Sequence, residues 1–319
     1  MSSPAADRLA ERVVKTLAEP FTVGGHPLCL GASVSTAPLD GGDAETILRN
    51  ADVAMYAAKA AGRSRCVRFT TTQMETLTSE AQLETEFRQG LTRNEFILHY
   101  QPIVDLGSGR IWGAEALVRW QHPTRGLLLP AEFVPLAEKN DTITMLGTWV
   151  LSEACEQAAL WRAAGYDCRS LKIAVNISAR ELNATLVETV RAALAATDLE
   201  PSALILEVTE TALLVSPDEA AAVVTAVRAL GVSIALDDFG TGYSSLSCLR
   251  RFAADSLKID RSFVKGLGAD TAVVKAVVDL ANSLGLAVVA EGVETAQQLA
   301  LLRALGCSTA QGYHLVVRR

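Results

Sequence analysis

An α/β architecture, with eight strands closed into a barrel and one of them reversed, is the arrangement this sequence favours, preceded by a smaller α+β segment. Apolar runs recur near residues 96–104, 111–118, 171–177, 203–208, 232–236, 256–259, 286–290 and 308–312. From the third run onward they are separated by helix-like stretches such as 183–196, 218–230 and 271–284. Strand alternating with helix implies a parallel sheet, and about eight strands over roughly 220 residues suit a barrel better than an open sheet. The first two runs are joined only by a short turn at Gly107–Gly109, which predicts a hairpin and so one strand running against the others.

Composition narrows the function. Half of the 319 residues are apolar and a fifth are charged, enough for a substantial core. A net charge of −7 and a pI near 5.3 argue against DNA or RNA polymers as partners, while a small anionic ligand stays compatible because a local pocket can oppose the global sign. No apolar run reaches the ~18 residues of a membrane span and the first residues lack a signal-peptide pattern, so a soluble cytoplasmic protein is expected. Cys29, Cys66, Cys155, Cys168, Cys248 and Cys307 form no C-x-x-C pair, and the four histidines are dispersed. Zinc constellations are thereby removed, and any metal has to be held by oxygen.

The N-terminal segment is predicted to hold a helix over 5–18, a strand near Leu28 to Ser35, a turn at Gly41-Gly42-Asp43 and a helix over 44–60 with Asp43 as its N-cap and Gly62 ending it. Ser33-Val34-Ser35, Ala51-Asp52-Val53-Ala54-Met55-Tyr56-Ala57-Ala58-Lys59 and Gly62-Arg63 resemble the last third of a diguanylate cyclase (GGDEF-type) domain. The letters Gly-Gly-Asp-Ala-Glu at 41–45 come after the place of the cyclase signature hairpin, so residues 1–69 are read as a C-terminal fragment without cyclase activity. Residues 70–82 are polar and are read as a linker. Leu83, Phe87 and Leu91 then make one apolar helical stripe at the start of the main domain, 83–319.

The chemistry lies in the polar residues within or at the ends of the apolar runs. These are Glu115, Asn176, Glu207, Asp237, Asp238, Lys258, Glu291 and Gln311. In a barrel the carboxyl ends of the strands share one face, so positions far apart in sequence meet there. Asp237 and Asp238 are adjacent, and neighbouring strand residues point to opposite faces. Both serve one site only if the chain leaves the strand at that point, a turn that Gly240 and Gly242 would ease. Taken singly, each acid reads equally well as a strand-edge charge or a turn former. Together, five carboxylates against one ammonium call for protonation or divalent cations. Oxygen ligands favour Mg2+ or Mn2+, and a carboxylate bridging two such ions is the usual apparatus for phosphodiester hydrolysis.

Residues 83–313 resemble the EAL-type cyclic di-GMP phosphodiesterases. The resemblance rests on Tyr100-Gln101-Pro102-Ile103-Val104, Glu115-Ala116-Leu117-Val118-Arg119-Trp120, Asn176-Ile177-Ser178, Glu207-Val208-Thr209-Glu210, Asp237-Asp238-Phe239-Gly240-Thr241-Gly242-Tyr243, Leu257-Lys258-Ile259-Asp260-Arg261, Ala290-Glu291-Gly292-Val293-Glu294-Thr295 and Gln311-Gly312-Tyr313. It implies a modified TIM-type (β/α)8 barrel with one antiparallel strand and hydrolysis of cyclic di-GMP to the linear dinucleotide pGpG with two ions. By the same resemblance Glu115, Asn176, Glu207 and Asp237 hold one metal, and Asp237, Asp238 and Glu291 the other. Lys258 orients the attacking water and Gln311 hydrogen-bonds near it, which with Glu115 and Glu291 makes the catalytic set. Gln101, Leu117 and Arg119 contact the ligand, Glu210 braces the 239–245 loop, and Asp260 and Glu294 are candidate supporting partners. A homodimer is compatible with the family, and a catalytically silent cyclic di-GMP receptor is the alternative. The family pattern usually continues into a further helix beyond Gln311-Gly312-Tyr313, so the chain is expected to be part of a longer one.

Overall fold

A computed structural model describes residues 3–39, 42–139, 142–164, 171–240, 251–268 and 271–315. The chain forms two compact units, Met1–Glu86 and Phe87–Arg319.

In the first unit, helix α1 (Ser3–Ala18) is followed by a hairpin of β1 (Phe21–Val23) and β2 (His26–Leu28), then β3 (Val34–Thr36), α2 (Ala44–Ala60) and β4 (Cys66–Arg68), which pairs parallel with β3. Asp43 caps α2 by accepting the Thr46 N–H at 2.8 Å, as its position before the apolar periodicity predicts. The single strand expected over 28–35 is instead the end of one strand and the start of another. Gly24 and Gly25 both take positive φ, the requirement of a tight hairpin turn, and that turn ends the first pairing at Leu28. Asp7 ties α1 to the β3–β4 pair, accepting from Thr36 Oγ1 at 2.8 Å and facing Arg68 at 3.3 Å. Of the expected linker 70–82, residues 71–82 prove helical, as the first part of α3 (Thr71–Thr92). Their Glu, Gln, Met, Leu and Ala are good helix formers, and Gln73 secures the first turn through the Thr70 N–H and the Arg68 carbonyl.

The second unit is the barrel. Its strands are β5 (Phe96–Asp105), β6 (Ile111–His122), β8 (Lys172–Ile177), β9 (Leu204–Thr209), β10 (Ser233–Phe239), β11 (Ser256–Ile259), β12 (Ala287–Ala290) and β13 (Thr309–Gln311), with a short β7 (Gly126–Leu128) added to the edge of β6. β5 pairs with both β6 and β13, which closes the ring of eight, and both of its pairings are antiparallel. The reversed strand expected from the tight 107–109 turn is therefore β5. Around the ring lie α4 (Pro130–Lys139), α5 (Thr142–Ala163), α6 (Ala184–Thr197), α7 (Glu210–Val215), α8 (Pro217–Ala229), α9 (Arg261–Lys265), α10 (Ala272–Ser283) and α11 (Ala296–Ala304). Each long helix buries one stripe, such as Val274, Val277, Val278 and Ala281 on α10. Phe87, Phe96, Trp120 and Phe133 pack as one aromatic cluster with ring centroids 5.1 to 6.0 Å apart, and Trp120 Nε1 donates to Glu95 at 3.0 Å.

Inside the barrel, Ile103, Ala174, Ile205, Ala235 and Val289 form a buried layer with Trp112 packed against it. Because side chains alternate along a strand, the next inward positions toward the carboxyl ends are Asn176, Glu207, Asp237 and Glu291. β5 runs backwards, so its matching position is upstream of Ile103, at Gln101, directly across from Glu115. An apolar floor thus carries a polar layer, and the polar layer is the candidate site.

Candidate active site

Lys258 sits at the centre of this layer and is only 1 % exposed. Its ammonium lies 2.6 Å from Glu207, 2.8 Å from Glu291, 3.4 Å from Glu115 and 3.5 Å from Asp237. Gln311 Nε2 donates to Glu115 at 2.7 Å and to Glu291 at 2.9 Å, and Asn176 Nδ2 donates to the other Glu115 oxygen at 2.7 Å. Seven expected site residues from seven strands or strand ends are therefore joined through one lysine and two amides.

The eighth, Asp238, enters by a route the sequence did not reveal. The chain does not leave the strand at Asp237, because β10 continues to Phe239. Instead its register against β11 shifts between Leu236 and Phe239, and Asp238 takes the left-handed φ of 55°. This is a β-bulge, with aspartate among the few non-glycine residues that accept the conformation readily. The extra residue turns Asp238 to the side of its neighbour, whose carboxylate accepts the Asp238 N–H at 2.9 Å. One carboxylate oxygen each from Asp237, Asp238 and Glu291 then fall within 4.8 Å of one another.

Electrostatics sort these acids. Burial pushes Glu115 up, but the Lys258 charge and the hydrogen bonds from Gln311 and Asn176 outweigh it and hold the carboxyl below its ordinary range. Burial dominates at Glu207 and, with repulsion from Glu115 and Asp237, raises it well above that range despite Lys258. Glu291 is pushed up to about 7 by burial and by Asp237 and Glu115, against the pull of Lys258. Asp238 is raised by partial burial and by Asp237 and Asp260. Burial opposes the Lys258 charge, yet the surrounding carboxylates keep it firmly protonated. One ammonium therefore faces four carboxylates, with Asp238 beside them, and burial and mutual repulsion raise Glu207, Asp238 and Glu291 above the ordinary carboxylate range.

The donor set fits hard divalent ions. It is all oxygen and amide, it carries excess negative charge, and three of its carboxylates already converge. Gln311 Oε1 is in addition buried without a hydrogen-bond partner among the described residues.

Gln101, Leu117 and Arg119 lie on the face of the β5–β6 hairpin that carries Glu115, since Gln101 is opposite Glu115 and strand positions two and four residues on share its side. The Arg119 guanidinium is turned to the Val118 carbonyl at 2.7 Å. Glu210 is the buried first residue of α7, and residues 241–245 of the loop it is expected to brace, including Thr241, Gly242 and Tyr243, lie outside the described residues. Asp260 caps α9 through the Ser262 N–H at 2.9 Å. The exposed Glu294 donates its backbone N–H to Gln298 at 2.8 Å beside the capping box of α11. Sequence reading overlooked the part played by Gly312. A Cβ there would overlap the backbone of Val293, whose N–H donates to the Gln311 carbonyl at 3.0 Å and whose carbonyl accepts the His314 N–H at 2.9 Å. Its position in Gln-Gly-Tyr directly after a site residue was the available signal.

The chain is similar to known proteins in sequence and in fold. Residues 84–316 match the EAL domain, and residues 2–65 match the GGDEF domain of diguanylate cyclases. The chain belongs to the EAL-domain family. Its EAL domain is similar to that of the solved MucR phosphodiesterase in complex with c-di-GMP, at 48 % identity and a TM-score of 0.70 over 74 % of this chain and 96 % of that one. The EAL domain of Mycobacterium smegmatis DcpA is similar at 36 % identity and a TM-score of 0.57 over 69 % and 89 %. Among curated relatives, the bifunctional diguanylate cyclase/cyclic di-GMP phosphodiesterase MucR of Pseudomonas aeruginosa is 44 % identical over 97 % of this chain and 46 % of its own length. The cyclic di-GMP phosphodiesterase PdeR of Escherichia coli is 37 % identical over 98 % and 48 %. The chain spans about half the length of the curated relatives it matches. No described helix is long and apolar enough to cross a membrane.

Proposed function

We propose that the EAL domain hydrolyses cyclic di-GMP to the linear dinucleotide pGpG with the help of two Mg2+ or Mn2+ ions. The observation that carries this reading is the convergence of Glu115, Glu207, Asp237, Asp238 and Glu291 around Lys258 at the carboxyl ends of the strands. Glu115, Asn176, Glu207 and Asp237 would hold one ion, and Asp237, Asp238 and Glu291 the second. When bound, such a pair lowers the pKa of a water and neutralises charge developing on the phosphate.

The protein's own groups divide the remaining work. Water adds to phosphorus as the P–O bond to the ribose 3′ oxygen breaks, so the ring opens and leaves a 5′ phosphate on the linear product. Lys258 keeps the acids together and would orient the water. Gln311 ties Glu115 to Glu291 and so fixes carboxylates from opposite sides of the β5–β13 seam. Arg119 swings from the Val118 carbonyl to a ligand phosphate, for which its planar fork is suited. Gln101 faces guanine, and Leu117 supplies apolar contact beside it. Glu210 steadies the loop that follows Asp238.

Chromatographic separation of products, with Mg2+ or Mn2+ and with chelator, tests the proposal. pGpG is expected only with metal, and Glu115→Ala should lower the rate at least a hundredfold. Ligand binding with no linear product in saturating metal would replace the enzyme with a silent receptor.

A further inference from the structure

The β5–β6 hairpin carries a histidine on its inward face that has no role in the reading above. Antiparallel pairing sets Gln101 opposite Glu115 and His99 opposite Leu117, with Ile97 opposite Arg119. Directly opposed residues share a face, and the register is continuous from Phe96 to Ile103. His99 therefore stands on the same face as Glu115, two residues beyond Gln101. Along β5 that face runs from the buried Ile103 through the half-buried Gln101 to the exposed His99. It climbs from the barrel floor through the acidic layer to the rim.

His99 has no structural task that explains it there. Among the described residues its imidazole makes no hydrogen bond, ion pair or ring contact. Its surroundings are those of a binding residue. Leu117 is its direct cross-strand neighbour, with a Cβ separation of about 4.5–5.5 Å for such pairs, and Arg119 is a diagonal neighbour at about 7–8 Å. Gln101 lies about 7 Å along the strand. A ligand that touched Gln101, Leu117 and Arg119 together would have to pass over the imidazole.

We propose that His99 is a further ligand-contacting residue, which binds the guanine of the half of the cyclic dinucleotide that is not being cleaved. This inference rests on the proposed function. The scissile phosphate belongs at the acidic layer, and one strand step outward along β5 leads to the remote half of the ligand. Imidazole offers a flat face for a purine and ring nitrogens for its edge, the usual means of holding an unstacked base. Its place beyond Gln101, away from Lys258, gives it a part in binding and none in bond cleavage.

The test combines calorimetric binding of cyclic di-GMP in chelator, which prevents turnover, with steady-state kinetics in Mg2+. For His99→Ala we expect affinity weakened about tenfold and KM raised in parallel, with kcat within twofold of the unsubstituted protein. His99→Phe, which keeps a flat ring, should recover part of the lost affinity. The thermal shift on adding Mg2+ without ligand should be the same in all three proteins, since the acidic layer is untouched. Affinity within twofold in His99→Ala, or a fall in kcat with unchanged affinity, would overturn the assignment. If the unsubstituted protein neither binds nor cleaves cyclic di-GMP, the proposed function itself fails and takes this inference with it.

Discussion

Lys258 decides how the site behaves before any ligand arrives. Its ammonium is buried among four carboxylates, and removing one member of a buried charge cluster leaves the others uncompensated, at a cost of roughly 3–5 kcal/mol. Lys258→Met should therefore unfold several kcal/mol more easily in chelator by urea titration, and millimolar Mg2+ should return part of that loss. Equal stability of variant and unsubstituted protein in chelator would mean that the acids are already neutralised by protons. Another buried acid, Glu181, lies outside the Lys258 cluster. Glu181 accepts the Ser178 N–H at 3.0 Å, and burial raises its pKa. The sign follows from the proton count. Between the ordinary carboxylate value and the raised one, the folded chain holds the proton more tightly than the unfolded chain, so this contribution to stability is complete at low pH and is lost as pH rises. Glu181→Gln should accordingly flatten the pH dependence of the urea midpoint above about pH 4, because an amide cannot ionise. An unchanged slope would contradict the assignment.

At the scale of elements, strand ends do the positioning. Gly312 lets β13 lie against Val293, and the two backbone hydrogen bonds of Val293 hold Gln311 next to Glu291. A methyl group there has to push the strands apart, and a displacement of about 1 Å in a catalytic group can cost a hundredfold in rate. Gly312→Ala is thus expected to lose most activity in the product assay while the far-ultraviolet circular dichroism stays barrel-like. Elements also show what could be read from letters. The barrel strands lay within a few residues of the apolar runs because β9, β10, β11 and β12 are buried almost throughout, so their apolar residues stand together in the sequence. The Asp43 cap was equally plain, since a capping side chain acts three residues away. The hairpin at Gly24-Gly25 and the helical nature of 71–82 were not, because short exposed strands and polar helices carry little hydrophobic periodicity. The bulge at Asp238 was beyond reach, since it depends on the register of β10 against β11 and not on either sequence alone.

The whole molecule joins a barrel, whose polar layer is drawn from nearly every strand, to a smaller unit whose residues 2–65 match the GGDEF domain. Most expected site residues could be named because a barrel gathers its strand ends; that His99 shares the face of Glu115 needed the observed pairing of β5 with β6. If cations complete the acidic layer, they stabilise the fold as any ligand of the native state does, by about 2.7 kcal/mol at a hundred times the dissociation constant. The melting temperature should therefore rise with Mg2+ or Mn2+, and Asp237→Asn should abolish most of the rise. The most direct test is the number of ions bound, measured with Mn2+ by equilibrium dialysis and electron paramagnetic resonance. Two ions per chain are expected for the unsubstituted protein in the presence of cyclic di-GMP, and fewer than one for Asp237→Asn. No Mn2+ held by the unsubstituted protein, or the same amount held by both, would contradict the account.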